Sequence, residues 1–230
     1  MKTKRELLTR RRLYTACALL LALAFNQLSF QGSRLLSFWR HHFDFMLPLD
    51  HQIRLVPWTI VIYIGAFVFW TVSLYFGSLQ PRERSDRLFC ADALTKLVSF
   101  LFFVFLPTMI MRPVDTGAGF FDRSIRLLYA ADPGDNLFPS LHCCVSWLCW
   151  IWVRGRKDMP LFWRVCSLLA AIAVCISTLT TRQHVLVDVA GGVLLAEACW
   201  EIAANDRVRG VYTRGMDWLL DALERRTRNE

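Results

Sequence analysis

The chain has 230 residues, 55% of them hydrophobic, with a formal net charge of +8 and a mean hydropathy of +0.34. Its apolar residues fall in long blocks separated by polar connections, a pattern that excludes an ordinary soluble fold and leaves a polytopic membrane protein. At roughly 20 residues per crossing, the length accommodates one all-α membrane domain of about six spans and no second domain.

In chain order, residues 1–12 form a basic tail with Lys2, Lys4, Arg5, Arg10, Arg11 and Arg12. A six-transmembrane-helix core is expected over residues 13–203, with spans at Leu13–Phe30, Pro57–Gly77, Leu94–Met111, Pro139–Val153, Leu161–Leu179 and His184–Ala203. The first run has the basic start and apolar centre of a secretory signal. Phe30-Gln31-Gly32-Ser33-Arg34 follows it, however, where a small-x-small cleavage site would stand, so it reads as a retained span. The fourth run is short and crosses only if Pro139 to His142 forms its first turn; the other reading is a re-entrant segment. In the connection before it, Phe120, Phe121, Ile125, Leu128 and Tyr129 recur at helical spacing opposite Asp122, Arg123 and Arg126, which predicts a short helix lying on the membrane interface. Residues 204–230 are expected as a cytoplasmic tail. Its apolar stripe of Val211, Trp218, Leu219, Ala222 and Leu223 beside Arg214, Arg225 and Arg226 is either an amphipathic helix resting on anionic lipid or part of a solvated segment.

Taking alternate connections as one side gathers most of the 27 Lys and Arg residues with both termini, in segments 1–12, 82–96, 154–164 and 207–228. Arg34, Arg40, Arg54, Arg112, Arg123, Arg126 and Arg182 fall on the other side. Positive connections stay in the cytoplasm, so both termini are expected there, with the opposite end extracytoplasmic, in a multi-pass protein of a bacterial cell membrane. The basic residues are spread over short segments rather than one face, which excludes nucleic acid as the partner. Of the cysteines only Cys90 lies in a polar run; the rest read as small buried hydrophobes, with neither a disulfide framework nor zinc spacing. Cys143 and Cys144 flank His142, but adjacent side chains on a helix diverge by about 100° and no second pair exists, so no metal centre is expected.

This topology brings Arg112, Ser140, His142, Arg182, His184 and Asp188 to one end of the bundle. Taken singly, Arg182 reads equally as a snorkelling side chain, His142 as a helix-start residue and Arg112-Pro113 as a span terminator. Together they mark function, because ionisable groups within spans are costly. His184 and Asp188 sit one helical turn apart, so the carboxylate can hold one ring nitrogen and leave the other as nucleophile or base. His142 has the intrinsic acidity to protonate a departing alkoxide near neutral pH. Arg112, and with it Arg182, supplies the planar fork that matches phosphate oxygens. Ser140 adds a hydroxyl beside the unpaired amides of a helix start. The set amounts to a phosphoryl-transfer site that needs neither metal nor cofactor.

On those residues the chain resembles the type 2 phosphatidic acid phosphatase superfamily, whose signatures are Lys-x6-Arg-Pro, Pro-Ser-x-His and Ser-Arg-x5-His-x3-Asp. Here they read Phe105-x6-Arg112-Pro113, Pro139-Ser140-Leu141-His142 and Ser177-Thr178-x5-His184-x3-Asp188. The resemblance covers residues 57–203 and is nearest the branch that includes inositol phosphorylceramide synthases, where Pro-Ser-Leu-His and a basic residue at the position of Arg182 are common. It implies a six-helix enzyme in which His184 attacks phosphorus to give a phosphohistidine, Asp188 orients it, His142 protonates the leaving group, and Arg112 and Ser140 hold phosphate oxygens. The expected substrate is a lipid phosphate or an isoprenoid pyrophosphate drawn from among the membrane lipids. Water is the acceptor in a phosphatase, an alcohol in a phosphotransferase. Two cations of the family pattern are replaced, by Phe105 and Thr178, and Arg182 is the candidate to supply one. Those replacements favour a third reading, a non-catalytic lipid transporter on the same scaffold. His184, Asp188 and His142 oppose it, as does the lack of inverted repeats in the sequence.

Overall fold

The computed structural model describes residues 4–37, 39–113, 116–132 and 134–229. The chain enters as α1 (Lys4–Gln27), widens through one π-helical turn (Leu28–Gly32) and continues as the short α2 (Ser33–Ser37). A 3-10 turn at Pro57–Thr59 leads into α3 (Ile60–Ser78), which a tight connection joins to α4 (Arg82–Phe105). Then follow α5 (Phe120–Ala131), α6 (Leu141–Ile151), α7 (Leu161–Thr180), α8 (Leu186–Ile202) and α9 (Asp206–Asn229). α5 is the short amphipathic helix expected from its spacing; it buries Ile125 and leaves Phe120 and Leu127 exposed.

Four segments, Arg10–Ser37, Pro57–Ser78, Arg82–Phe105 and Leu161–Thr180, are long and apolar enough to cross a membrane. The two expected spans that carry the histidine motifs are shorter. α6 has 11 residues and rises about 16 Å at 1.5 Å per residue, roughly half a hydrocarbon core. α8 has 17 and rises about 25 Å. α6 is nonetheless the axis of the bundle, packed against α3, α4, α7 and α8. The irregular backbone at its two ends is also inside the protein: Leu137 and Ser140 before it and Trp152 and Val153 after it are buried. Non-helical backbone survives in such surroundings only when its polar groups find internal partners. Here the amides of Leu137 and Phe138 both donate to Thr108 Oγ1, at 3.0 and 2.9 Å.

The third span begins well before its expected start at Leu94 and ends before Met111. The charges in residues 82–96 depress its hydropathy, yet they are neutralised in place. Asp86 accepts from Arg82 Nε (2.8 Å), Tyr14 Oη (2.9 Å) and Thr213 Oγ1 (2.9 Å), and so ties α4 to α1 and α9. Lys96, expected near the cytoplasmic end of its span, lies in the interior of α4, buried in an ion pair with Asp92 one turn earlier. The helix ends at Phe105, two residues before Pro107, as the restriction on residues preceding proline favours.

The C-terminal segment is not a tail. α9 lies against α1 and α4, with Met216 and Leu220 buried in the same core as Leu88, Leu148 and Ile151. The packed face is displaced from the expected stripe: Val211 and Trp218 stay exposed, while Leu219 and Leu223 are partly covered. Arg10 binds Asp221 (2.8 Å) and Glu224 (2.9 Å) across the α1–α9 seam.

Lys96→Ala leaves the buried Asp92 carboxylate without its cation, a loss of roughly 3–5 kcal/mol. The unfolding midpoint of the protein in detergent should therefore fall sharply, and the double variant Asp92→Ala/Lys96→Met should recover most of the loss. Equal midpoints for Lys96→Ala and the parent protein would mean that the pair contributes nothing.

Candidate active site

The starts of α6 and α8 are held together by backbone. Ser140 N–H donates to Asp188 O at 3.1 Å. A Cβ on Gly192, one turn further along α8, would lie 2.5 Å from Ser140 O, so the absence of a side chain there sets how closely the helices approach. Ser140 is the N-cap of α6, its Oγ accepting the amide of Cys143 at 3.3 Å. This puts His142 in the first turn of α6, facing the start of α8.

His184 was expected within the first turn of a span and instead precedes the helix. α7 closes with the amides of Gln183 (3.0 Å) and His184 (3.1 Å) both donating to Thr178 O, and Arg182 turns the chain with φ of 53°. α8 then starts at Leu186, whose amide is capped by Asp50 Oδ1 at 2.8 Å. Asp188, in the first turn of α8, accepts from Val185 N–H (3.0 Å) and meets His184 Nδ1 (3.3 Å) through the same Oδ2. A carboxylate only accepts, so Nδ1 carries the proton in this pair and Nε2 is the lone-pair nitrogen. The expected relation between the two residues survives although no helix links them.

The ring centroids of His142 and His184 lie 6.4 Å apart. Both rings line a cavity of about 250 Å³ together with Tyr63, Phe67 and Trp70. His142 stacks on Tyr63 at 4.1 Å, with Trp70 at 5.0 Å and Phe67 at 5.6 Å; Trp70 is itself fixed by its indole N–H to Ser146 Oγ at 2.7 Å. His142 Nε2 has no partner among the described residues. The three rings form a box that holds the plane of the imidazole in place against α3. Nothing in the spacing of α3 signals the box, because the same residues serve any apolar span.

Arg112 reaches the turn before His184. Its guanidinium donates to Gln183 Oε1 and Asp132 O and lies 4.6 Å over the Tyr129 ring. Burial pulls it below its ordinary value, against the pull of Asp132. Burial also pushes the Tyr129 phenol up to about 12, so that side chain stays neutral while its hydroxyl donates to Thr181 O at 2.9 Å. Arg112 Nε and Gln183 Nε2 are buried donors with no partner among the described residues, and Gln183 immediately precedes His184. Gln183 escaped the sequence reading although it sits between Arg182 and His184. Arg182 is directed elsewhere: its guanidinium donates to the carbonyls of Asp50 (2.7 Å) and Ile53 (3.2 Å), strapping the loop before α3 to the α7–α8 turn. Of the two replaced cation positions, Phe105 is 65% exposed at the end of α4, and Thr178 is buried with its hydroxyl on Cys175 O. Arg34 is a cation near the cavity that the sequence did not single out; it pairs with Asp132 (3.0 Å) and Asp135 (2.6 Å), both of which line the cavity.

A helical membrane bundle with a His–Asp pair facing a second histidine defines the class of protein. Over residues 33–202 the chain matches the family model described as the PAP2 superfamily. That stretch is most of its length, and the chain belongs to this superfamily, whose membership carries phosphatase or phosphotransferase activity at a membrane. No curated protein and no solved structure matches it.

Gly192→Ala should force the starts of α6 and α8 apart, lower turnover at least tenfold and lower the unfolding midpoint as well, through about 1–3 kcal/mol of overpacking. Gly215→Ala, on α9 where an added Cβ meets nothing within 4 Å, should leave turnover as it is and stabilise the helix by up to about 1 kcal/mol. Full activity in Gly192→Ala would show that the close approach does not matter.

Proposed function

We propose that this protein is a membrane phosphatase that hydrolyses a lipid phosphate through a phosphohistidine. The observation that carries the reading is the Asp188-bound His184 sharing one cavity with an unpartnered His142 nitrogen. In the first step His184 Nε2 attacks phosphorus; a P–N bond forms, the ester P–O bond breaks, and His142, protonated within its aromatic box, gives its proton to the departing alkoxide. Asp188 stabilises the charge that grows on the His184 ring, as the carboxylate does in other histidine–carboxylate pairs. In the second step neutral His142 takes a proton from water, the water oxygen bonds to phosphorus, the P–N bond breaks and His184 is regenerated. Arg112 Nε, Gln183 Nε2 and the amides at the start of α6 are the donors suited to phosphate oxygens. Arg182 acts in this scheme by positioning the turn that carries His184, through its bonds to Asp50 and Ile53.

Transfer to an alcohol in place of water, as the inositol phosphorylceramide synthase-like branch performs it, is the second reading. What favours it is the polar wall of the cavity, where Asp132, Asp135 and Asn136 offer acceptors and an amide to a hydroxylated acceptor. The two readings share the first step.

Phosphate release from lipid phosphates and prenyl pyrophosphates, measured on the purified protein with chelator present, should fall to background in His184→Ala. It should fall by about 10²–10⁴-fold in His142→Ala and by less than the His184→Ala loss in Asp188→Asn. Quenching without acid should trap a phosphohistidine that His184→Ala lacks. Near-parental release by His184→Ala would remove it as the nucleophile.

The charge distribution supports a site on the extracytoplasmic side. In a background without native cysteines, Cys at the exposed Ala118 should then react with an impermeant thiol reagent on intact cells, and Cys at the exposed Lys157 only after permeabilisation. The reverse pattern would turn the protein over in the membrane.

A further inference from the structure

Below the histidine cavity lies a second one, of about 260 Å³, between α1 and α3. The two share Asn26, Gln27, Phe67 and Trp70 in their walls. They form one groove that runs from His142 and His184 past two carboxamides to a largely apolar stretch walled by Leu19, Leu23, Leu74 and Val145, with the Asp92-paired Lys96 on its inner side. Leu20, Leu23 and Phe67 are also exposed on the outer surface of the bundle, so the groove is open to the side where lipid lies.

Asn26 and Gln27 are the anomaly. They sit in the apolar segment Arg10–Ser37, immediately before its π-helical turn; Asn26 is half-buried and Gln27 exposed at the mouth of the groove, and neither side chain makes a hydrogen bond with a described residue. Amides in a hydrocarbon setting are expensive unless they find a partner, and π turns in helices are frequent at functional sites. A carboxamide both donates and accepts, which matches an ester carbonyl, an amide or a hydroxyl.

We infer that the groove between α1 and α3 holds the tail of the substrate, and that Asn26 and Gln27 bind an ester, amide or hydroxyl group between its phosphate and its chain. The site thereby selects acyl-linked lipid phosphates over prenyl phosphates. This rests on the reading of the histidine pair as the phosphate site. A prenyl phosphate has no hydrogen-bonding group between phosphorus and hydrocarbon, and would leave both carboxamides unpaired against an apolar chain. An acylated lipid whose phosphate lies at His184 carries its carbonyls along the groove towards the junction walled by Asn26 and Gln27. The larger apolar groove bounded by Leu94, Leu97, Val208 and Val211 includes neither histidine and has no part in this.

The test has two arms on the full-length protein. In the first, phosphatidic acid with a photoactivatable diazirine in one acyl chain is irradiated with the purified protein in liposomes, and the adducts are located by mass spectrometry. Adducts on residues 19–27 and 67–74 are expected; adducts on Leu94, Leu97, Val208 or Val211 instead would overturn the inference. In the second, kcat/KM is compared for phosphatidic acid and farnesyl phosphate in the parent protein, Asn26→Leu and Gln27→Leu. The parent should prefer phosphatidic acid, and each variant should lower the ratio by up to about tenfold, through KM, as expected for one lost hydrogen bond. A ratio unchanged in both variants would overturn the selection by Asn26 and Gln27. If no ester is hydrolysed, the phosphatase reading fails, while the position of the adducts still decides whether the groove holds the tail.

Discussion

Asp188 is where the two halves of the candidate site are joined. Its backbone carbonyl receives the Ser140 amide, and its carboxylate receives the Val185 amide and the His184 ring. One residue therefore fixes the spacing of α6 from α8, the start of α8 and the orientation of His184. Ser140, Val185 and Asp188 are buried, so none of these groups has a cheap alternative partner, and loss of one bond disturbs the others. Gly192 completes the arrangement by letting the two backbones come close enough for it to form.

The rest of this end of the bundle supports that junction in layers. Asp50 caps α8 through Leu186 and receives Arg182 on its own carbonyl. Arg112 grips Gln183 from the opposite side and rests on Tyr129 of α5. The turn from Thr181 to Val185 is thus held from both the α3 side and the α5 side, which limits the motion of His184, a residue that belongs to no helix. At the other end Asp86 performs the equivalent task for α1, α4 and α9.

Short motifs made the site legible in the sequence, since His184 and Asp188, and Ser140 and His142, are close along the chain and their relations are set by local turns. The helical class and the amphipathic α5 were legible for the same reason, their signals being periodic. What depends on tertiary partners was not. The early start of α4 is hidden by charges that hydropathy counts as exposed but that find partners inside the bundle, Asp86 with Arg82 and the hydroxyls of Tyr14 and Thr213, Lys96 with Asp92. The packing of α9 is hidden because its buried face is narrow and its flanks are charged. Arg182 occupies the expected place in sequence, but the φ of 53° at that residue and two loop carbonyls decide where its guanidinium goes. The aromatic box on His142 comes from a helix far away in sequence and carries no pattern of its own.

Thr108 has a consequence through what it replaces. Its single hydroxyl takes two amides at the buried turn before α6, a task that ordered water often performs in soluble proteins. One side chain thus stands where a solvent molecule would otherwise be needed: with the hydroxyl of Thr108 removed, two buried amides lose their acceptor at once, and the turn that leads into the His142 helix has to admit water or shift.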